Sequence, residues 1–311
     1  MVEQEQDQGW IEVSLLVEAE LAEPVAEVLT RYLTRGVVME RPAEEKGGEQ
    51  DQQEVRVYGY LSADPRLEER KRKIREALYY LGRIRPLPEP EFRETASENW
   101  ATAWQKRYRP LRVAGRLMIV PTWLENPDPT LIPLYLDPGM AFGSGTHPST
   151  QLALRLILGI LESDPPREML DIGSGSGILS IAAVKLGVEL AVGVDVDRGS
   201  VRVARANAAA NQAADRTAFH TGSVPDILAG AFSIRKAPLV AANLIAPLLH
   251  QLVEEGLTDT ITTDGKLVLS GLLEDQAELL VQKLADKQLQ VLKRVQQGDW
   301  VGLLFGKKAG A

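Results

Sequence analysis

The stretch EMLDIGSGSGILS, residues 168–180, leaves few folds open to this chain. An apolar run of Met169, Leu170 and Ile172 meets glycines at alternate positions, Gly173, Gly175 and Gly177. Residues 178–184 continue as an apolar helix until Gly187 stops it. Buried strand, glycine turn and helix, in that order, open a parallel α/β sheet. Glycine lacks a Cβ, so the turn can be sharp and a ligand can come close to the backbone. The helix start adds unpaired N–H donors and the positive end of the dipole, which suit a carboxylate or a phosphate.

The alternation continues downstream. Residues 190–194, 217–220, 239–242 and 266–271 read as strands, with helical segments at 200–211, after Asn243 to about 255, and at 274–284. The last two apolar runs, 290–295 and 300–305, are joined by Gln297, Gly298 and Asp299, a loop short enough to force an antiparallel hairpin. The rest reads as a doubly wound parallel sheet.

The front of the chain has another grammar. Strand patterns at residues 10–17, 36–40 and 54–61 alternate with helical patterns at 24–33 and 64–81, separated at 42–53 by a polar loop. Residues 84–92 can add a fourth strand, which Pro86, Pro88 and Pro90 confine to an edge. That βαββαβ order is the ferredoxin-like arrangement. The charge run at 68–73 reads as a solvated helix face. Between the two regions, Trp100 and Trp104 stand one helical turn apart, followed by Lys106, Arg107, Arg109 and Arg112. This stripe reads as a linker helix packed on a neighbouring domain. The expected division is residues 1–96, a linker helix or hinge at 97–116, and 117–311, within the size range of two domains.

A second glycine-rich segment, DPGMAFGSGTHPST at residues 137–150, precedes a helix at 151–161. Ser149 or Thr150 can cap that helix. The segment is also long, rich in small residues and apolar enough to close over a ligand, with Phe142 at its centre.

Ligands of open α/β sheets sit at the carboxyl ends of the strands, and Gly173, Gly175, Asp195, Ser223 and Asn243 all fall there. The dinucleotide pattern G-x-G-x-x-G/A fails at its closing position, Ile178. A triphosphate-binding loop needs lysine and a hydroxyl residue after its last glycine, and Gly177 is followed by Ile178 and Leu179. Asp195 ends the next strand, where a carboxylate accepts from ribose hydroxyls, while Asp197 is available to cap the following helix. A ligand with a ribose and a carboxylate but no phosphate fits, and S-adenosylmethionine is such a ligand. The expected fold is therefore α/β: a Rossmann-like class I methyltransferase sheet with its final strand pair antiparallel, preceded by a small ferredoxin-like α+β domain. Methyl transfer from a sulfonium also agrees with the composition. There is no cysteine, and His147, His220 and His250 have no metal-ligand spacing, so no metal is expected. The net charge of -8 favours a basic partner over nucleic acid. The acidic start and the lack of a long apolar run point to neither a targeting peptide nor a membrane span, which suits the cytoplasm.

Asn243-Leu244-Ile245-Ala246-Pro247 after an apolar strand resembles the asparagine motif of amine-directed methyltransferases. Together with residues 137–150 and 171–179, it makes the chain resemble the PrmA family, methyltransferases of large-subunit ribosomal protein L11. The resemblance covers residues 99–305, and Ser144, Ser149 and Ser174 stand where the family usually has threonine, or cysteine or threonine. It implies cofactor contacts at Thr150, Gly173, Asp195 and Asn243, closure of Phe142 over the cofactor, and a front domain that grips the substrate. It also implies transfer to lysine and N-terminal amines of that ribosomal protein. On this reading Gly173–Gly177 would seat the methionyl carboxylate on their N–H groups, and Val196 with Val224 would flank the adenine. Asn243, helped by the Leu244 carbonyl, would orient the amine, and His147 would pack the lid. The protein is expected to act as a monomer. The residues by themselves leave open a methyltransferase for another protein or for RNA amines, and a non-catalytic cofactor-binding module in ribosome assembly.

Overall fold

The computed structural model describes residues 10–30, 32–33, 37–40, 54–82, 85–95, 109–137, 145–162 and 165–307. The chain divides into two compact units, Met1–Tyr108 and Arg109–Ala311. The linker with Trp100 and Trp104, the lid centre with Phe142, and the loop expected at 42–53 lie outside the described residues. Among the described residues no helix is long and apolar enough to cross a membrane.

The first unit has strands β1 (Trp10–Glu18), β2 (Val37–Glu40), β3 (Glu54–Ser62) and β4 (Glu91–Thr95), with helices α1 (Ala19–Thr30) and α2 (Leu67–Gly82). The sheet order is β2-β3-β1-β4 with every pairing antiparallel, which is the ferredoxin-like topology. Alternate residues Ile11, Val13, Leu15 and Val17 of β1 and Val55, Val57 and Leu61 of β3 are buried with Leu29, Ile74 and Leu78 of the helices. Two expectations shift. Helix α1 begins at Ala19, so Pro24 lies inside it rather than at its start. Strand β4 begins after Pro90, because three prolines cannot donate to the ladder; it is nonetheless an edge strand.

The second unit opens with a three-stranded sheet, β5 (Leu111–Val113), β6 (Leu117–Pro121) and β7 (Ile132–Leu136). Strand β7 at Ile132–Leu136 adds an element that the sequence patterns above do not include. Helix α3 (Pro148–Leu161) leads into β8 (Glu168–Ile172), α4 (Ile178–Lys185), β9 (Leu190–Asp195), α5 (Arg198–Ala210), β10 (Thr217–Thr221) and α6 (Val224–Ala229). There follow β11 (Ala237–Asn243), α7 (Ala246–Glu254), β12 (Ile261–Leu273), α8 (Glu274–Asp286), β13 (Leu289–Gln297) and β14 (Trp300–Lys307). These strands form one seven-stranded sheet in the order β10-β9-β8-β11-β12-β14-β13. All pairs are parallel except those made by β14, which runs against both β12 and β13.

The inner strands β8, β9, β11 and β12 are largely buried on both faces, and side-chain alternation sorts them into two cores. Met169, Leu239, Ala241 and Val268 pack with Leu154, Ile157, Ile181 and Ala204 of α3, α4 and α5. Leu170, Ile172, Val240, Ala242 and Leu269 pack with Ile227, Leu249 and Leu280 of α6, α7 and α8. Helix α4 carries no polar stripe because every residue from Ile178 to Val184 is buried. The strand order reverses between β8 and β11, and a crevice at such a reversal is where open α/β sheets hold ligands.

Candidate active site

Four strand ends meet that reversal: the glycine turn after β8, Asp195 on β9, Gly222 and Ser223 after β10, and Asn243 on β11. The turn is tight. Gly173, Gly175 and Gly177 all have positive φ, at 72°, 52° and 78°. At Gly173 an added Cβ would stand 2.7 Å from the Leu244 side chain, so this position accepts only glycine without displacing the residue beside Asn243.

Four amides of the turn find partners within the protein. Gly173 and Ser174 N–H both donate to Val194 O, at 2.9 and 3.0 Å, and Gly177 N–H donates to Ser174 O at 2.8 Å. Gly175 N–H donates to Asp195 Oδ2 at 2.9 Å. Of the five amides expected to seat a carboxylate, these four have partners within the protein, and the glycines also give the turn its shape. Val224 is corrected too, since it is buried in the core with α6, whereas Val196 is 76 % exposed.

Asp195 also accepts from Asp197 N–H through Oδ1, at 2.9 Å, and burial raises its carboxyl pKa. Asp197 caps α5 by accepting from Ser200 N–H at 2.7 Å, which leaves Asp195 facing the strand ends. Ser223 begins α6, its N–H donating to Asp226 Oδ2 at 2.9 Å.

Three side-chain atoms around the turn are buried and find no hydrogen-bond partner among the described residues: Asp171 Oδ1, Ser174 Oγ and Asn243 Oδ1. A buried polar atom without a partner costs about 1–3 kcal/mol, so a cluster of three marks a place where a ligand supplies the partner. Asp171 stands on β8 within the apolar run, 1 % exposed. Its Oδ2 accepts from Ser180 Oγ at 2.8 Å and from Ser180 N–H at 3.2 Å, and burial pushes its pKa up to about 6. The sequence reading used Asp171 only as part of the motif. A charged residue inside a buried strand was the signal available.

Asn243 Nδ2 donates to Thr150 Oγ1 at 3.2 Å, leaving Oδ1 as the open acceptor. Thr150 is fully buried in the first turn of α3. Neither Ser149 nor Thr150 caps that helix, contrary to one of the two roles read for them. The cap is His147, whose Nδ1 accepts from Ser149 N–H at 3.2 Å and lies 2.6 Å from Ser149 Oγ. Burial pushes the His147 pKa down to about 4, so the ring is neutral and able to accept. Its ring meets Trp300 edge-to-face at 4.4 Å.

Three buried oxygens without partners, beside a glycine turn and a strand-end carboxylate, fit the amino-acid end and the ribose of S-adenosylmethionine. Comparison with known proteins agrees. The family profile described as ribosomal protein L11 methyltransferase (PrmA) matches residues 9–308. A ribosomal protein L11 methyltransferase of Chloroflexus aurantiacus is 37 % identical over 325 aligned positions, covering 96 % of this chain and 98 % of that protein. The protein of the same name from Pelobacter propionicus is 35 % identical, covering 97 % and 99 %. A crystal structure of the ribosomal protein L11 methylase of Lactobacillus delbrueckii superposes with a TM-score of 0.57 at 32 % identity, over 65 % of this chain and all of that one.

Proposed function

This chain belongs to the ribosomal protein L11 methyltransferase family, and from that premise we propose that it transfers methyl groups from S-adenosylmethionine to lysine side chains and the N-terminal amine of ribosomal protein L11. The observation that carries the reading is the Asn243 amide, with Nδ2 tied to Thr150 and Oδ1 buried without a partner at the strand reversal. An amide oxygen held that way accepts a hydrogen bond from an amine and directs the nitrogen lone pair.

When bound, S-adenosylmethionine supplies a methyl group already activated on a sulfonium. The protein's share is alignment and exclusion of water. Asp195 accepts from the ribose hydroxyls. Gly173 and Gly175 shape the floor, Ser223 and the exposed Val196 border the adenine side, and Phe142 closes the lid. Asp171 and Ser174 present unpaired oxygens to the amino-acid end. Asn243 Oδ1 and the Leu244 carbonyl accept from the target amine. A free lysine has a pKa near roughly 10.4, and the dry crevice favours its neutral, nucleophilic form. The front unit holds the basic substrate, the enzyme works as a monomer in the cytoplasm, and no nucleic acid is needed for transfer.

Mass spectrometry of ribosomal protein L11 incubated with the full chain and S-adenosylmethionine tests the reading. Added methyl masses on lysine and N-terminal amines are expected. Asn243→Ala should lower kcat by about a hundred-fold while cofactor Kd changes by less than about five-fold. Equal losses in both would sink the orienting role.

A further inference from the structure

We propose that Thr150, braced by Ser270, is a positioning residue that holds the Asn243 side chain where its Oδ1 meets the substrate. The proposal rests on the reading of Asn243 as the group that orients the amine. An asparagine side chain turns about its χ bonds, and a hydrogen bond from its amide to a fixed partner restricts that freedom.

The geometry supplies that restriction. Asn243 Nδ2 donates to Thr150 Oγ1 at 3.2 Å, and Thr150 is fully buried, so no solvent competes for its hydroxyl. The preceding residue is anchored from the other side. Ser270, also fully buried, donates from Oγ to Ser149 O at 2.9 Å. Ser270 is the register partner of Asn243 on the neighbouring strand, and its own carbonyl accepts from Leu244 N–H at 3.1 Å. The first turn of α3 and the end of β11 are therefore fixed to one strand position, with Thr150 and Asn243 brought together between them.

Thr150 thereby acts through Asn243, and the cofactor contact implied for it by family resemblance becomes secondary. A cofactor contact and a positioning contact differ in what they move. Loss of the first weakens cofactor binding; loss of the second leaves binding intact and slows transfer.

The test uses the full chain with S-adenosylmethionine and ribosomal protein L11, reading kcat and KM in steady state and cofactor Kd by calorimetry. Thr150→Val removes the hydroxyl and keeps the shape. It should lower kcat about ten-fold or more with cofactor Kd within about two-fold, and Thr150→Ser should regain most of the rate. Ser270→Ala should give a smaller loss of the same kind, about three-fold, again with Kd held. If the valine variant does not fold, Thr150→Ala is read in its place. Unchanged kcat, or a raised Kd with full kcat at saturation, overturns the proposal. A wild-type protein that transfers no methyl group, or an Asn243→Ala variant that keeps its kcat, overturns the reading of Asn243 itself and the proposal with it.

Discussion

His147 closes the amino end of α3 with a ring nitrogen, although two hydroxyl residues stand next to it. Serine and threonine are the usual caps, so sequence patterns pointed to Ser149 and Thr150; the Ser149 hydroxyl instead meets His147 within the same turn, and a tertiary contact gives the Thr150 hydroxyl Asn243 as partner. The price of the arrangement is a histidine that must stay neutral. Its pKa is about 4 in the folded chain against 6.5 ordinarily. Between these values the unfolded chain binds a proton that the folded chain refuses, so stability rises with pH across the window and is lost as pH falls through it. The loss is at most about 3 kcal/mol. His147→Asn keeps a good cap and removes the titration. Urea unfolding at a series of pH values should show a shallower loss between pH 6.5 and 4 for the variant, and an identical slope would show that His147 does not titrate there. Asp197 illustrates the opposite case. A carboxylate just ahead of a helix was legible as its cap, because capping is local, and the structure has it so.

At the scale of elements, α5 shows why β7 escaped sequence reading. Asn207 and Asn211 lie one turn apart on or just beyond α5, both buried. Asn211 receives Tyr135 N–H on Oδ1 at 2.8 Å and donates from Nδ2 to Tyr135 O at 2.6 Å. Asn207 accepts from Asp137 N–H at 3.4 Å and donates to Ser176 O, in the glycine turn, at 2.9 Å. Two asparagines thus take the place of a neighbouring strand along the free edge of β7, whose other edge pairs with β6. Pro133 and the Asp137-Pro138 pair look like loop signals, and nothing local announces a partner 76 positions away. Asn211→Ala would strand both Tyr135 backbone groups and should destabilise the unit by about 2 kcal/mol or more. Chemical denaturation reads this directly, and a change below about 0.5 kcal/mol would mean that solvent replaces the asparagine.

For the whole molecule, each unit carries its own core. Among the described residues the front core is built from β1, β3, α1 and α2, and the clusters of the second unit from residues beyond 109. Separate cores make separate folding units. Residues 109–311 expressed alone should unfold cooperatively and bind S-adenosylmethionine within about three-fold of the full chain, yet methylate ribosomal protein L11 at least about ten-fold more slowly. Calorimetry and mass spectrometry separate the two outcomes. Retention of full activity toward the ribosomal protein would remove the substrate-holding role from the front unit.

The sequence by itself determined what depends on neighbours along the chain. Apolar periodicity determined the parallel sheet, a short loop the closing hairpin (two residues, Gly298 and Asp299, since Gln297 pairs with Trp300), and alternate glycines a left-handed turn that no other residue makes cheaply. Asp195 and Asn243 were legible because both end apolar runs, and strand ends of one sheet converge. Tertiary structure alone decided which hydrogen bonds remain open. It turned the amides of the glycine turn inward onto Val194 and Asp195, and left oxygens of Asp171, Ser174 and Asn243 without partners. Satisfaction of a polar group depends on what stands within about 3 Å of it in space, and sequence fixes that distance only for groups a few residues apart.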